Sequence, residues 1–280
     1  MERSIPAGDG LLLRAETFGD RRRPAVLLVM GATAPGLVWP DALCRLLAAA
    51  GYYVVRYDHR DTGGSGKSGG AYDLSTMAAD AAAVIAGLGL SRAHVVGQSA
   101  GGTIALLLAL DRPGLVRSLV LLSSSPGADA GSPPAGSGPP DPHVPVQERA
   151  ALDPEPEEHR AMAVEGWRAL VGHAALFDRA YWTDLVDRVT AHSRRPDTSG
   201  RHLTAMARTP ALTGRIASLA VPTLVVHGEQ DRIYPVQHGE ALHRAIPGAR
   251  LRRIAGMGHI FPPHWSPMIG ALILDHVRRT

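Results

Sequence analysis

Residues 94–104 read His-Val-Val-Gly-Gln-Ser-Ala-Gly-Gly-Thr-Ile. An apolar run enters Gly97-x-Ser99-x-Gly101, and helix-forming sequence (103–110) leaves it. A serine on such a sharp strand-to-helix turn stands exposed at the end of its strand. Gly97 and Gly101 lack side chains that would obstruct the close packing of strand and helix. The helix N-terminus favours a developing negative charge nearby. Ser99 is therefore the candidate nucleophile. The competing reading is a buried turn with an inert serine, and the pentapeptide alone is common. The strand before it and the helix after it argue for the nucleophile.

A serine hydroxyl attacks poorly unless a base takes its proton, and the base needs a carboxylate to orient it. In this setting the chain order is serine, acid, histidine. Residues 223–231 (Thr-Leu-Val-Val-His-Gly-Glu-Gln-Asp) read as a strand followed by a turn holding Asp231. Residues 253–259 (Arg-Ile-Ala-Gly-Met-Gly-His) read as the next strand, then a glycine-rich approach to His259. Asp231 lies 132 residues after Ser99 and His259 another 28 on. Both fall on loops at the sheet edge that holds Ser99. The chain has 13 histidines, most of them expected to be surface or structural, and position alone singles out His259. His227, on the strand, reads as a packed or loop residue. Glu229 competes with Asp231 as the acid, whereas the end of the run 118–123 offers only serines.

Acyl transfer also needs donors for the tetrahedral oxyanion. The backbone N–H of Ala100, next after the nucleophile, is one candidate. The second is the N–H of Ala32, in the loop Met30-Gly31-Ala32-Thr33-Ala34-Pro35-Gly36; the alternative there is an ordinary glycine-rich loop.

Asp61-Thr-Gly-Gly-Ser-Gly-Lys67-Ser68 is a decoy. A phosphate-binding P-loop needs glycine where Asp61 stands, and no helix follows Ser68. The segment reads as a turn-rich loop in which Asp58, Arg60 and Asp61 tie neighbouring loops together by charged hydrogen bonds; His59 is placed to face a pocket. No cysteine pair and no His-Glu-x-x-His indicates a metal, and no Gly-x-Gly-x-x-Gly opens the first strand–helix unit. No metal and no cofactor is expected.

The elements that must position these residues are legible as rhythm. Apolar runs at 11–18, 25–30, 52–57, 93–96, 118–123, 222–227 and 251–255 read as strands, with another near Ser4. Residues 25–30 are apolar throughout, as in a strand covered on both faces. Apolar positions 74, 77, 78, 81, 84, 85 and 88 form a helical stripe, and the last segment repeats the pattern. Alternation of strand and helix implies a parallel sheet with right-handed crossovers. Ala-Gly-Asp-Gly between the first two strands signals a hairpin at an antiparallel edge.

The rhythm breaks in the middle. Ten of the 17 residues in 126–142 are Gly or Pro, too many for regular structure, so this stretch reads as a flexible connection. Residues 145–219 look helical and carry Trp167, Phe177, Tyr181 and Trp182. The organisation expected is a core of residues 1–125 and 220–280, interrupted by a helical cap at 126–219. These four aromatics, with Trp39 and Gly31, are candidate substrate contacts; the alternative is that the aromatics pack the cap onto the core.

Lys and Arg total 29 against 26 Asp and Glu, and the arginine clusters are scattered, which argues against nucleic acid. A lone Cys44 excludes an intrachain disulfide. No apolar run of membrane-spanning length and no apolar N-terminal signal core is present, so a soluble cytoplasmic protein is expected. With 45% hydrophobic residues the chain can bury a core.

The order Gly97-x-Ser99-x-Gly101, Asp231, His259 resembles the α/β-hydrolase-fold enzymes over essentially the whole chain, least across 126–219. Residues 27–31 (Leu-Leu-Val-Met-Gly), 56–63 (Arg-Tyr-Asp-His-Arg-Asp-Thr-Gly), 93–97, 246–251 and 254–259 are similar to the aclacinomycin methylesterases. Those enzymes hydrolyse the methyl ester of an aromatic polyketide. The resemblance implies an α/β fold with a mostly parallel eight-stranded sheet flanked by helices. It also implies Ser99, Asp231 and His259 as triad and Ala32 and Ala100 as oxyanion donors. The expected activity is a serine carboxylic-ester hydrolase acting on a small, apolar or aromatic ester. Lactone, thioester, peracid or acyl-transfer chemistry uses the same parts, and a binding protein on this scaffold is the non-enzymatic alternative. A haloalkane dehalogenase would carry Asp where Ser99 stands.

Overall fold

The computed structural model describes residues 1–126, 157–194 and 198–280. Residues 127–142 of the Gly/Pro-rich stretch lie outside the described residues.

Eight strands form one sheet: β1 (Glu2–Pro6), β2 (Leu12–Phe18), β3 (Ala25–Val29), β4 (Tyr53–Tyr57), β5 (Ala93–Gln98), β6 (Val116–Leu122), β7 (Thr223–Gly228) and β8 (Arg250–Ile254). Their order is β1-β2-β4-β3-β5-β6-β7-β8. From β4 to β8 the neighbours are parallel; β1 and β2 pair antiparallel with each other, and β2 with β4. The expected hairpin is present: Ala7 N–H donates to the Leu11 carbonyl at 2.7 Å, and Gly10 turns the corner at φ 82°. At the opposite edge, Arg250, Arg252 and Arg253 on β8 place charge along an otherwise open strand.

Because side chains alternate along a strand, the two faces of the sheet build two apolar clusters. Leu27, Val29, Val55, Val95, Leu119 and Val225 join one, with α2 (Leu74–Gly87) and α3 (Ala100–Asp111). Val26, Leu28, Val54, Val96, Val120 and Val226 join the other. There they meet α1 (Asp41–Ala49) and α8 (Ser266–Arg278). The Asp73 carboxylate caps α2 by accepting the Thr76 N–H at 3.0 Å. Between β7 and β8 runs α7 (Gln237–Ala245).

Between β6 and β7 lie α4 (Glu157–Leu170), α5 (Arg179–His192) and α6 (Arg201–Arg208). Trp167, Trp182 and Leu185 of this segment share the second cluster with Trp39 and Leu43. Among the described residues no helix is long and apolar enough to cross a membrane.

The chain leaves β3 toward β4 and returns over β3 to β5, so the strand order reverses there. Crevices at the carboxyl ends of strands flanking such a reversal are where open α/β sheets bind ligands.

Candidate active site

Ser99 sits at the head of α3 with φ 54° and ψ −126°, a backbone conformation that costs about 1–3 kcal/mol for a residue with a Cβ. Its surroundings enforce the bend. The Ser99 N–H donates to the Leu122 carbonyl at 2.9 Å, and the Ser99 carbonyl accepts from Gly102 N–H at 2.9 Å and Ser124 Oγ at 2.8 Å. A Cβ on Gly97 would lie 2.3 Å from the Gly101 carbonyl oxygen, and one on Gly101 only 2.2 Å from that of Val29. Only glycine lets β5, β3 and α3 close this tightly.

His259 Nε2 lies 2.9 Å from Ser99 Oγ, and His259 Nδ1 lies 2.9 and 3.0 Å from the Asp231 carboxylate oxygens. The carboxylate accepts only, so Nδ1 carries the proton and Nε2 is left to accept the serine's. Asp231 is held by the turn after β7: Oδ1 accepts the N–H groups of Ile233 and Tyr234 at 2.9 and 2.8 Å. Burial pushes the Asp231 carboxyl pKa up. The imidazoles of His259 and His227 outweigh this and hold it well below the usual carboxylate range, so the acid stays ionised.

The His259 loop is gripped on two sides. Gln230 N–H donates to the Met257 carbonyl at 2.9 Å. From α4's end, the Val171 and Leu170 carbonyls accept from Gly258 and Ile260 N–H at 3.0 and 3.2 Å. A Cβ on Gly258 would sit 2.2 Å from the Leu170 oxygen, so this glycine is what admits the helical segment. Gln98, the residue before the nucleophile, donates through Nε2 to the His259 carbonyl at 2.9 Å.

The Met30–Thr33 loop passes directly over the nucleophile. A Cβ on Gly31 would stand 2.7 Å from Gln98 Oε1 and 3.2 Å from Ser99 Cβ. Among the described residues, the N–H groups of Ala32 and Ala100 make no hydrogen bond to a protein acceptor. Gly31 thus serves the approach of the loop.

The structure separates the remaining candidates. Glu229 is turned away, paired with Arg253 at 3.0 Å. Trp39 is fully buried, its ring 5.9 Å from that of Phe261. Trp167 and Trp182 stack at 5.1 Å with 16° between planes. Phe177 stacks on Trp182 at 6.2 Å, and Tyr181 meets it edge-on at 5.1 Å. The rings gather around Trp182, with the Arg168 guanidinium 4.0 Å over the Phe177 ring, and buried Trp167 and Trp182 seat α4 and α5 on the sheet, while Phe177 and Tyr181 stay half-buried. His59 is buried and donates from Nε2 to the Met30 carbonyl at 2.8 Å.

The decoy loop ties segments together as its charges suggested. Asp58 accepts the N–H groups of Gly36 and Gly64, each at 2.8 Å, and meets His192 Nε2 of α5 at 2.6 Å. Asp61 accepts from Ser68 N–H, Tyr72 OH and Thr198 Oγ1 at 3.0, 2.7 and 2.7 Å. Arg60 is locked by Asp80 at 2.6 and 2.7 Å.

Three contributors escaped the sequence reading. Gln98 lacked any motif of its own. His227 is packed, as expected, but against the acid: its Nε2–H donates to the Tyr234 carbonyl at 2.7 Å with Asp231 Oδ2 at 3.3 Å. Its spacing of four from Asp231 was the available signal. Tyr234 places its ring edge-on to His259, centroids 5.5 Å apart.

The chain is similar to known proteins over nearly its whole length. The sequence model described as the alpha/beta hydrolase fold matches residues 24–263. Rhodomycin D methylesterase of Streptomyces peucetius is 33% identical, with 96% of each chain covered. A putative carbamate hydrolase of Caulobacter vibrioides is 30% identical over 92% of this chain and 91% of its own. Among solved structures, a hydrolase from Pseudomonas aeruginosa superposes with a TM-score of 0.77 at 26% identity, covering 99% of this chain and 98% of its own. Sheet order, elbow and sequence agree: this chain belongs to the alpha/beta hydrolase fold family.

Proposed function

We propose that the protein is a serine carboxylic-ester hydrolase acting through Ser99, His259 and Asp231, with a methyl ester of an aromatic polyketide as substrate. The observation that carries the reaction type is the Ser99 Oγ–His259 Nε2–Asp231 chain, with 2.9 Å at each step, on a strained elbow. The observation that carries the substrate is the likeness to rhodomycin D methylesterase, extending over 96% of both chains.

In the first half-reaction His259 Nε2 takes the Ser99 proton as Oγ bonds to the ester carbonyl carbon. The carbonyl oxygen becomes an oxyanion, held by the N–H groups of Ala32 and Ala100. When the tetrahedral intermediate collapses, the carbon–alkoxy bond breaks and His259 returns its proton to the leaving alcohol. Water then attacks the acyl-enzyme: His259 takes its proton, the acid leaves and Ser99 recovers its hydrogen. Asp231 orients His259 throughout and stabilises its positive charge.

A second reading has one observation behind it, the likeness to a putative carbamate hydrolase. The same steps applied to a carbamate ester would release its alcohol and then a carbamic acid, which loses carbon dioxide to leave ammonia or an amine. A panel of p-nitrophenyl acetate, a longer-chain p-nitrophenyl ester, an anthracycline methyl ester and a simple carbamate separates the two. We expect preference for the anthracycline ester and loss of all turnover in Ser99→Ala with folding intact. Turnover surviving in Ser99→Ala removes the triad reading; preference for the carbamate removes the substrate.

A further inference from the structure

Two buried imidazoles outside the triad meet beneath the loop that carries Ala32. His59 donates from Nε2 to the Met30 carbonyl at 2.8 Å. Burial, with His202 alongside, pushes its pKa down to about 3, so the ring is neutral. His202 comes from the first turn of α6, far from this loop in sequence. It is fully buried, and its ring meets that of His59 edge-on, centroids 5.7 Å apart.

The two nitrogens of His202 have separate partners. Nε2 lies 2.8 Å from the Arg60 carbonyl, which accepts only, so Nε2 carries a proton. In the neutral ring Nδ1 is then an acceptor, and there the Thr33 N–H arrives at 3.0 Å. The Arg60 carbonyl is a firm support, because its guanidinium is tied to Asp80 and to Asp9. Thr33 stands at φ 64°, in the left-handed region that a β-branched residue avoids. Such a conformation persists only where its surroundings impose it. The Met30–Thr33 loop is therefore held at both ends by imidazoles, with the Ala32 N–H between them.

We propose that His202 is a positioning residue for oxyanion stabilisation: by accepting the Thr33 N–H, it fixes the turn that aims the Ala32 N–H at Ser99. The helical segment between β6 and β7 thereby shapes the anion site as well as covering the sheet. This inference rests on the roles of Ser99 and Ala32 proposed above.

The test is a pair of substitutions that split the two nitrogens. In His202→Asn the side-chain amide reaches the place of Nδ1 and can accept from Thr33. In His202→Gln it reaches the place of Nε2, keeping the Arg60 contact and losing the acceptor. On p-nitrophenyl acetate we expect His202→Gln to lower kcat by about 10- to 100-fold with KM little changed. That is less than the ~10²–10³ lost when an oxyanion donor is deleted. His202→Asn should recover most of that loss at a similar Tm. The rate of fluorophosphonate labelling of Ser99 should fall in the same order, because phosphonylation places an oxygen in the same site. Equal kcat in both variants, the reverse ranking, or a loss confined to KM overturns the proposal. Ser99-dependent turnover indifferent to His202 overturns this inference alone; turnover that survives Ser99→Ala overturns the reading of the site with it.

Discussion

Asp231 lies almost out of water, yet four groups converge on its carboxylate: two backbone N–H groups and two imidazoles. Its charge fixes the tautomer in which His259 Nε2 can accept, and in the mechanism proposed above it also stabilises the imidazolium formed during attack. Asp231→Asn keeps the shape and removes both effects. We expect kcat to fall by about 10³- to 10⁴-fold while Tm changes modestly, as read from steady-state kinetics beside a thermal melt. A loss of only a few-fold would mean that another group orients His259. Ser99, Asp231 and His259 were legible because each follows an apolar strand in the required order. His202 was not, because its contacts depend on how α6 settles on the Met30–Thr33 loop, which local spacing does not encode. His227 left one signal, its spacing of four from Asp231. The aromatic residues were legible as a group, but their mutual stacking depends on how α4 and α5 cross.

Strand β5 and helix α3 are joined by glycines whose value lies in their missing atoms. Replacing a helical glycine by alanine ordinarily stabilises by up to about 1 kcal/mol. At Gly101 the added Cβ would meet the Val29 and Met30 carbonyl oxygens at 2.2 and 2.4 Å, both backbone atoms of a central strand and its loop. Overpacking against atoms that cannot rotate away wins over propensity. Gly101→Ala should destabilise by about 3 kcal/mol, seen as a lower urea midpoint at unchanged slope. An unchanged midpoint would show that the elbow has slack. Among the elements, the strands were read to within about two residues of their ends, because covered strands are uninterrupted apolar runs bounded by turn formers. The three helices described between β6 and β7 were read only as a helical region. Their apolar faces address the sheet and one another, which blurs any single stripe.

Across the molecule, the helical segment is fastened to the sheet at two ends of the site. One fastening is the backbone pairing of Leu170 and Val171 with the His259 loop; the other is polar, His192 of α5 on Asp58 after β4. The hydrogen bond to Asp58 raises the His192 pKa above its ordinary 6.5; burial opposes this, and Arg14 and Glu2 act in opposite senses nearby. A raised pKa in the folded state means that protonation favours folding. The stabilisation is fully present below about 6.5 and is lost as the pH climbs through the raised value. The Tm difference between the wild type and His192→Gln should therefore be largest in mild acid and shrink toward alkaline pH. A difference constant with pH would assign His192 a packing role only. The alternation of strands and helices made the sheet legible at this scale. The polar fastening was legible only as charges on a turn-rich loop, because its partners arrive from more than 130 residues away.

The stacked indoles of Trp167 and Trp182 have a consequence of a different kind. The chain has four tryptophans, and two of them lie face to face across the α4–α5 contact. At that separation their electronic transitions couple, so the pair absorbs circularly polarised light as one chromophore. Separating the helices breaks the coupling while the backbone signal of the sheet persists. The protein thus carries its own optical gauge of how α4 and α5 sit, readable without a dye and independent of turnover.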